Sequence, residues 1–335
     1  MVDATHKSFR ADDRSYFSIL KKEIHNQVAL ANYSQKKIAE IDIIVSELTS
    51  NLNKFAKEGE ILFAHVTNNE QDYIEIICID NGPGMIDASK MITDGVSTSN
   101  TLGHGLGSLK RLSDKFEIYS LKDWGTITLN RIYKNSSSKK KLPVDIHALV
   151  LPKPGEEVSG DGFFSVGSSD FLKFLVADGL GHGVEANKAV NAAVEAFQEC
   201  QSNDPAEILK FIHPAIKKTR GIVGTILIYD IKRKLWNTAG IGNISMKMMN
   251  GSLAKNHLPY NGIVGHNIPN TIKVQQFSCA EFNQLILCSD GIKSRWDLSK
   301  YPMIGKYDLS ILAAAIYKDF GRKTDDMSVI IAKCN

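Results

Sequence analysis

The sequence predicts an α/β protein of the α+β kind, built as two domains with helices packed on sheets in each. Three observations predict it. The chain has 335 residues, a length that suits two domains. One break in composition, KNSSSKKKLP at 134–143, offers no core-forming face and closes on a proline, as a linker or exposed loop does. On both sides of it, short runs rich in Ile and Val alternate with segments whose apolar residues recur at threes and fours. The expected division is therefore 1–134, a linker at 135–143, and 144–335.

In the first half, YFSILKKEIHNQVALAN has helical spacing. Ser34 suits the N-cap of QKKIAEIDIIVSELTSNLNKFA, where Ile38, Ile41, Ile44, Val45 and Leu48 form one apolar stripe. EILFAHVTN and YIEIICID read as strands, GSLKRLSDKF as a helix, and FEIYSLKDWGTITLNRIY as a strand pair turning at 123–125. In the second half, FFSVGSS, FLKFLVAD, GIVGTILIYDI, KLWNTAGIG, ISMKMMN, QLILCSD and MSVIIAKC read as strands. GVEANKAVNAAVEAFQECQ, PAEILKFIHPAIKKT and DLSILAAAIYKDFG read as helices. No internal repeat is present.

The totals exclude some partners. Forty basic against 37 acidic residues is too even a balance to make nucleic acid the main partner. No apolar run reaches the 18–20 or so residues that span a bilayer, and MVDATHKSFRADDRS lacks a signal-peptide core. A cytoplasmic location is the expectation. The five cysteines, at 78, 200, 279, 288 and 334, are scattered and odd in number, with no CxxC or Cys/His cluster. They are expected to be reduced thiols.

The run IICIDNGPGM, 76–85, ends a strand in a carboxylate followed by glycines. Asp80 can accept a hydrogen bond from an exocyclic amine such as that of adenine, and Gly82 and Gly84 let the backbone approach a flat ring. Upstream, Glu47 and Asn51 are four residues apart and share a face of the predicted helix. A carboxylate there can deprotonate a hydroxyl, and an amide oxygen can ligate magnesium; taken alone, such a pair is more often a solvated helix face. Downstream, TSNTLGHGLGSLKRL sets Gly103, Gly105 and Gly107 before a predicted helix, whose first N–H groups suit phosphates. Tight turns explain most GxGxG runs. This one lacks the GK[ST] ending of a Walker A loop and is not followed into a parallel sheet.

Together SELTSN, DNGPGM, LGHGLGSLKRL and WGT, in order across residues 30–133, resemble the GHKL ATP-binding (Bergerat) α/β sandwich, in the anti-sigma-factor kinase branch typified by RsbT and RsbW. The resemblance implies ATP with magnesium, Glu47 as general base, Asn51 as magnesium ligand and Asp80 as adenine reader. It also implies that Gly82 and Gly84 shape the base pocket, that Gly103, Gly105 and Gly107 line the phosphates, and that Thr126 helps hold the adenine. DGVSTSNT, 94–101, would be a small polar lid. His104 has no assigned role. The family includes members that bind ATP without evident kinase activity, so nucleotide binding is the firmer expectation.

The second half repeats the grammar with more acids. SGDGFF holds Asp161, FLKFLVADGLGHG ends a strand in Asp178, LILCSDGI ends one in Asp290, and KTDDMSVII sets Asp325 and Asp326 before the last strand. A single Asp-Gly is usually a turn. Converging carboxylates repel one another unless cations neutralise them, so four such places at strand ends predict divalent metals on oxygen ligands. Two ions can lower the pKa of a water held between them and clamp an in-line phosphoryl displacement. Glycine after Asp178 allows its own carbonyl to face the ions. No obvious phosphate-gripping arginine marks these motifs, so phosphate binding falls to the metals or to a residue distant in the chain. His182 suits a role in ordering the loop better than one as ligand.

SGDGFF, VADGLGHG, AGIGN, CSDGI and TDDMSVI, in order across 158–333, resemble the metal-dependent (PPM, type 2C) protein phosphatases in their SpoIIE and RsbX branch. That implies an α-β-β-α sandwich and a centre of two manganese or magnesium ions with metal-bound water as nucleophile. Asp178 would bridge the ions, Asp161 and the Gly179 carbonyl would serve one, and Asp290 and Asp325 the other, with Asp326 a neighbour. Gly240, Gly242 and Asn243 would form a turn near the site, structural or catalytic. By the two resemblances, the chain is a bacterial signalling enzyme that dephosphorylates a STAS-type anti-anti-sigma protein or similar antagonist in a partner-switching pathway. Self-association into a dimer stays open. The alternative is a nucleotide-gated anti-sigma or scaffold protein with little phosphatase activity.

Overall fold

The computed structural model describes residues 5–11, 14–56, 58–67, 72–87, 105–135, 142–251 and 253–335. Contacts divide the chain into two compact units. One comprises His6–Lys139 and Ser299–Ala315, the other Met1–Thr5, Lys140–Leu298 and Ile316–Asn335. A division at 134–143 alone leaves Ser299–Ala315 with the second half, whereas its contacts are with the first.

The first unit has one antiparallel sheet of β1 (Lys7–Arg10), β2 (Gly59–Thr67), β3 (Asp72–Asp80), β4 (Lys115–Leu121) and β5 (Gly125–Tyr133), in the order β1-β2-β3-β5-β4. Helices α1 (Phe17–Leu30), α2 (Gln35–Phe55) and α3 (Gly105–Leu112) accompany it. The Ser34 hydroxyl accepts from the Lys37 N–H at 3.3 Å and starts α2, as its sequence predicts. The predicted stripe Ile38, Ile41, Ile44, Val45 and Leu48 joins Leu20, Ile24 and Val28 of α1 and Ile61, Phe63, Ile74 and Ile76 of the sheet in one core. Each such buried side chain contributes about 1.5–3 kcal/mol before chain entropy is counted. Two expectations change. The polar stretch Lys7–Arg10 is an edge strand paired with β2. The helix expected over GSLKRLSDKF stops at Leu112, because Lys115 onward pairs with β5.

The segment Ser299–Ala315 enters this unit through a buried polar network. Arg131 on β5 donates from Nε to Glu75 on β3 at 2.5 Å, and its two terminal nitrogens donate to the two Asp308 oxygens at 2.8 and 2.9 Å. Ser310 Oγ donates to Glu75 at 3.0 Å, and the Asp308 N–H to Glu117 at 2.7 Å. The Arg131 guanidinium also lies 5.2 Å from the Tyr73 ring centroid. Burial alone would raise the Asp308 pKa, but the charges of Arg131 and Lys115 outweigh it and hold the carboxyl well below the usual carboxylate range. Around the network, Tyr119 meets Tyr307 and Trp124 meets Tyr301 edge to face.

The second unit contains two antiparallel sheets of five strands each. The first holds β7 (Asp161–Gly167), β8 (Phe171–Gly179), β9 (Ile222–Asp230), β10 (Leu235–Ile241) and β13 (Gln275–Ser278), ordered β13-β10-β9-β8-β7. The second holds β6 (Val144–Leu151), β11 (Ser245–Asn250), β12 (Leu253–His257), β14 (Gln284–Cys288) and β15 (Met327–Cys334), ordered β12-β11-β14-β15-β6. One core, including Val176, Leu227, Trp236, Leu287 and Ile330, draws on both sheets. A second core joins the first sheet to helices α4 (Gly183–Glu199) and α5 (Pro205–Ala215) through Leu175, Ile226, Ala189, Ala193, Ile208 and Ile212. The Asp204 carboxylate caps α5, accepting from the Ala206 and Glu207 N–H groups at 2.7 and 3.1 Å. Helix α6 (Leu309–Phe320) is divided between the two units, 309–315 in the first and 316–320 in the second. This is the mixed α/β architecture that the sequence predicts, with β6, β12 and β13 as strands beyond those expected.

Cys78, Cys200 and Cys288 are buried thiols, as expected. Cys279 and Cys334 are not: they form a disulfide with Cα atoms 6.1 Å apart, which corrects the expectation of five free cysteines. Among the described residues, no helix is long and apolar enough to cross a membrane.

Candidate functional site

In the first unit, α2 is the ruler for the candidate nucleotide residues. Glu47 and Asn51 lie one turn apart on it, both half-buried. Gly105, at the start of α3, packs directly on this face. A Cβ at Gly105 would stand 3.1 Å from Glu47 Oε2 and 3.7 Å from Asn51 Oδ1, so the start of α3 lies against both side chains. One turn beyond Asn51, the Phe55 carbonyl would lie 2.8 Å from a Cβ at Gly82. The last two turns of α2 thus connect the Glu47–Asn51–Gly105 corner with the Asp80 turn.

Asp80 ends β3 and is held by main-chain donors. Its Oδ1 accepts from the Gly82 N–H at 2.7 Å and from the Thr126 N–H at 3.2 Å. Thr126 Oγ1 lies 2.9 Å from the Ser120 hydroxyl, which also accepts from the Met85 N–H at 2.8 Å. Gly84 has φ +68, and a Cβ there would fall 1.8 Å from the Leu121 carbonyl oxygen, so the turn requires glycine. Asp80, Gly82, Gly84 and Thr126 are therefore brought together, as are Glu47, Asn51 and Gly105. Gly107 is buried within α3. Gly103, His104 and the lid expected at 94–101 lie outside the described residues.

In the second unit, Asp161 opens β7 and Asp178 lies near the end of β8, and the two are direct partners across the ladder. Asp290 follows β14 and Asp325 precedes β15, which are also paired. Two strand pairs from two sheets thus deliver their acids to one place. The charges show it. Burial, with the charges of Asp326 and Asp290, raises the Asp161 pKa to about 7 against the opposing effect of the Ser289 and Ser328 hydroxyls. Burial, with the charges of Asp161, Asp290, Asp325 and Asp326, raises Asp178 to about 9. Asp161 is 3% exposed, and apart from the influence of the Ser289 and Ser328 hydroxyls neither of its carboxylate oxygens has a hydrogen-bond partner among the described residues. Asp326 Oδ2 is likewise buried without one. Unpartnered buried carboxylates are costly unless a cation meets them, so the residues present fit divalent ions.

The surrounding backbone is built closely. The Gly179 N–H donates to the Gly160 carbonyl at 2.8 Å, and a Cβ at Gly179 would meet the Ala186 carbonyl oxygen at 2.5 Å. Asp326 Oδ1 accepts from the Lys153 N–H at 2.8 Å. Burial raises the Asp326 pKa, partly countered by the Lys153 and Gly160 N–H groups. The doubled acid of TDDMSVI thus supplies two members of the basin, where the sequence favoured Asp325. Asn243 follows Gly242, whose φ is +103, and its amide donates to Asp290 at 3.0 Å. His182 pairs with Glu156 at 2.7 Å. Sequence reasoning missed Glu156, the Asn243 contact and Arg220. The Arg220 Nη1 lies 2.8 Å from the position a Gly181 Cβ would take.

No family model matches the chain. Its N-terminal part is similar to the serine/threonine-protein kinase RsbT of Bacillus subtilis (strain 168), 40% identical over 88 residues; these are 26% of this chain and 66% of RsbT, just under two thirds of it. The phosphoserine phosphatase RsbX of the same organism is 27% identical over 143 residues, 42% of this chain and 71% of RsbX. Among solved structures, that of RsbX in complex with magnesium superposes with a TM-score of 0.52 at 21% identity, over 59% of this chain and 98% of RsbX. Part of this chain has the RsbX fold. A chain from work on the bacterial stressosome, a modular system adapted to control secondary messenger signalling, is similar with a TM-score of 0.51 at 26% identity; it covers 58% of this chain and 100% of itself.

Proposed function

We propose that the chain is a metal-dependent protein serine/threonine phosphatase that carries an ATP-binding, kinase-like module. Its substrate is a phosphorylated STAS-type antagonist in a partner-switching pathway. The observation that carries the reading is Asp161, a buried carboxylate with two unpartnered oxygens, set opposite Asp178 where further acids converge. The similarity to RsbX supports the reaction class, and the similarity to RsbT supports the module.

Asp178 would bridge two manganese or magnesium ions, with Asp161 and the Gly179 carbonyl on one and Asp290 and Asp325 on the other. When bound, the ions would lower the pKa of a water and offset the charge that builds on the phosphoryl oxygens. The protein's own part is positioning. Asn243 holds Asp290, the Lys153 N–H holds Asp326, and Glu156 with His182 orders the start of α4. In the first unit, Asp80 would read the adenine amine beside Gly82, Gly84 and Thr126. Glu47 would act as general base, Asn51 would ligate the magnesium of ATP, and Gly103, Gly105 and Gly107 would line the phosphates. The module comprises 1–134 and the phosphatase 144–335, joined by 135–143, with Ser299–Ala315 packed into the former.

The test uses the full chain, a phosphorylated STAS protein and manganese, followed by intact mass. Loss of the phosphate is expected with the native chain and not with Asp178→Asn. Equal rates for the two would overturn the reading. With ATP and the unphosphorylated protein, gain of phosphate that disappears in Glu47→Ala would assign kinase activity to the module.

A further inference from the structure

Against the turn that carries Asp178 lies a cation that makes no ion pair among the described residues. Arg220 sits in the loop between α5 and β9, and its Nη1 lies over Gly181, in the same turn as Asp178. Gly181 has φ +86, and its bare α-carbon leaves the guanidinium room to approach. The Gly181 carbonyl oxygen is 3.3 Å from the position of a Gly160 Cβ, which in turn would be 2.7 Å from Asp326 Oδ2, so the same glycine borders the acids.

The loop that carries Arg220 is fixed by its backbone. The Leu180 N–H donates to the Gly221 carbonyl at 3.2 Å, joining the two turns. The Arg220 carbonyl lies 2.9 Å from His266 Nε2, and the Thr219 hydroxyl donates to the Ile216 carbonyl at 2.7 Å. Yet the guanidinium itself makes no hydrogen bond or ion pair among the described residues. Glu185, on the first turn of α4, feels its charge without bonding to it. An exposed arginine is often just solvated. Here the loop holds it against the turn that also carries Asp178, and no hydrogen bond among the described residues takes its donors.

We infer that Arg220 is a substrate-binding residue that grips the phosphoryl group presented to the acidic basin. This rests on the phosphatase reading. The guanidinium is planar, always charged and able to bind two oxygens of a phosphate at once. It lies against Gly181, three residues after Asp178, so it can hold the non-bridging oxygens and leave the carboxylates to the ions. Lysine there would supply charge without the two-point grip.

The experiment compares the native full chain with Arg220→Ala and Arg220→Lys, each loaded with manganese. Inorganic phosphate binding is measured by calorimetry, manganese binding by separate titration, and hydrolysis of an aryl phosphate by KM and kcat. A charge-assisted hydrogen bond contributes about 1.5–3 kcal/mol, so Arg220→Ala should weaken phosphate binding roughly 10- to 100-fold and raise KM in step. Manganese affinity should hold and kcat should change little. Arg220→Lys should recover part of the loss. Unchanged phosphate affinity in Arg220→Ala, or equal loss of phosphate and manganese affinity in both variants, would overturn the inference. Should Arg220→Ala fail to fold, Arg220→Lys alone decides, since unchanged phosphate affinity in it counts against the two-point grip. If the native chain binds phosphate through Arg220 but hydrolyses nothing, the phosphatase reading fails instead.

Discussion

Two turns in this molecule begin alike, with a strand that ends in Asp and a run of glycines, and their carboxylates live in opposite surroundings. The Asp80 oxygen takes two main-chain N–H groups, from Gly82 and Thr126. Asp178 faces Asp161 across a ladder, feels three more acids, and is pushed up to about 9 by burial and their charges. The first carboxylate is stabilised by main-chain donors of the fold. The second is destabilised by burial and by neighbouring acids, surroundings that a cation would relieve. The difference comes from what the next strand brings: a backbone donor at Thr126 in one case, another carboxylate in the other.

The sharpest way to break this contrast is Asp178→Asn. Metal assistance is worth several kcal/mol and each 1.36 kcal/mol is tenfold, so manganese-dependent hydrolysis should fall by roughly a hundredfold or more. Without metal, the same variant should melt higher than the native chain, because one of two facing carboxylates has become neutral. A lower melting temperature in chelator would contradict the repulsion.

Asp308→Ala tests whether the first unit treats all its acids as Asp80 is treated, with partners provided. It strands the buried Arg131 guanidinium and should cost about 3–5 kcal/mol in equilibrium unfolding. Asp308 has a folded pKa below its unfolded value of about 3.9. Its contribution is therefore complete above that pH and is lost as the pH falls below it. A native-like denaturation midpoint in Asp308→Ala would mean the network is not structural.

Asp80→Asn should lower stability by about 1–2 kcal/mol, since a neutral acceptor replaces a charged one for two N–H donors. Its sign is opposite to that of Asp178→Asn in chelator, and equal signs in paired thermal melts would erase the distinction between the turns. The last test is a slope. Asp161 and Asp178 have folded pKa values of about 7 and about 9, above the unfolded value near 3.9. Between these limits the folded chain holds more protons, so metal-free stability should decline as pH rises from 5 to 9. Manganese should flatten that decline, and a level profile in chelator would sink the electrostatic account.

What could be read in advance follows from how local the signal is. Asp161, Asp178, Asp290 and Asp325 announce themselves because strand-end Asp-Gly is a short-range pattern and its repetition is visible. The stripe of α2 was legible for the same reason. Arg220 was not, because nothing in KKTRGIVG marks it; only the pairing of Leu180 with Gly221 brings it to the turn. Cys279 and Cys334 meet although 55 residues separate them, and an odd total hid a single pair. β12 is short and mostly exposed, which leaves no alternation to find. Within β6, Val144, Ile146 and Ala148 alternate, but Leu149, Val150 and Leu151 continue the apolar run and blur the period.

The seating of Asp308 and Ser310 against Arg131 and Glu75 bears on how this protein can be taken apart in the laboratory. A single cut in the serine and lysine stretch would not yield two intact pieces, because the leading piece would lose the acceptor for its buried guanidinium. Any assay on such a truncated product would report on an injured fold. The gene has to be dissected by point changes, or by grafting Ser299–Ala315 back onto the leading piece through a designed connection.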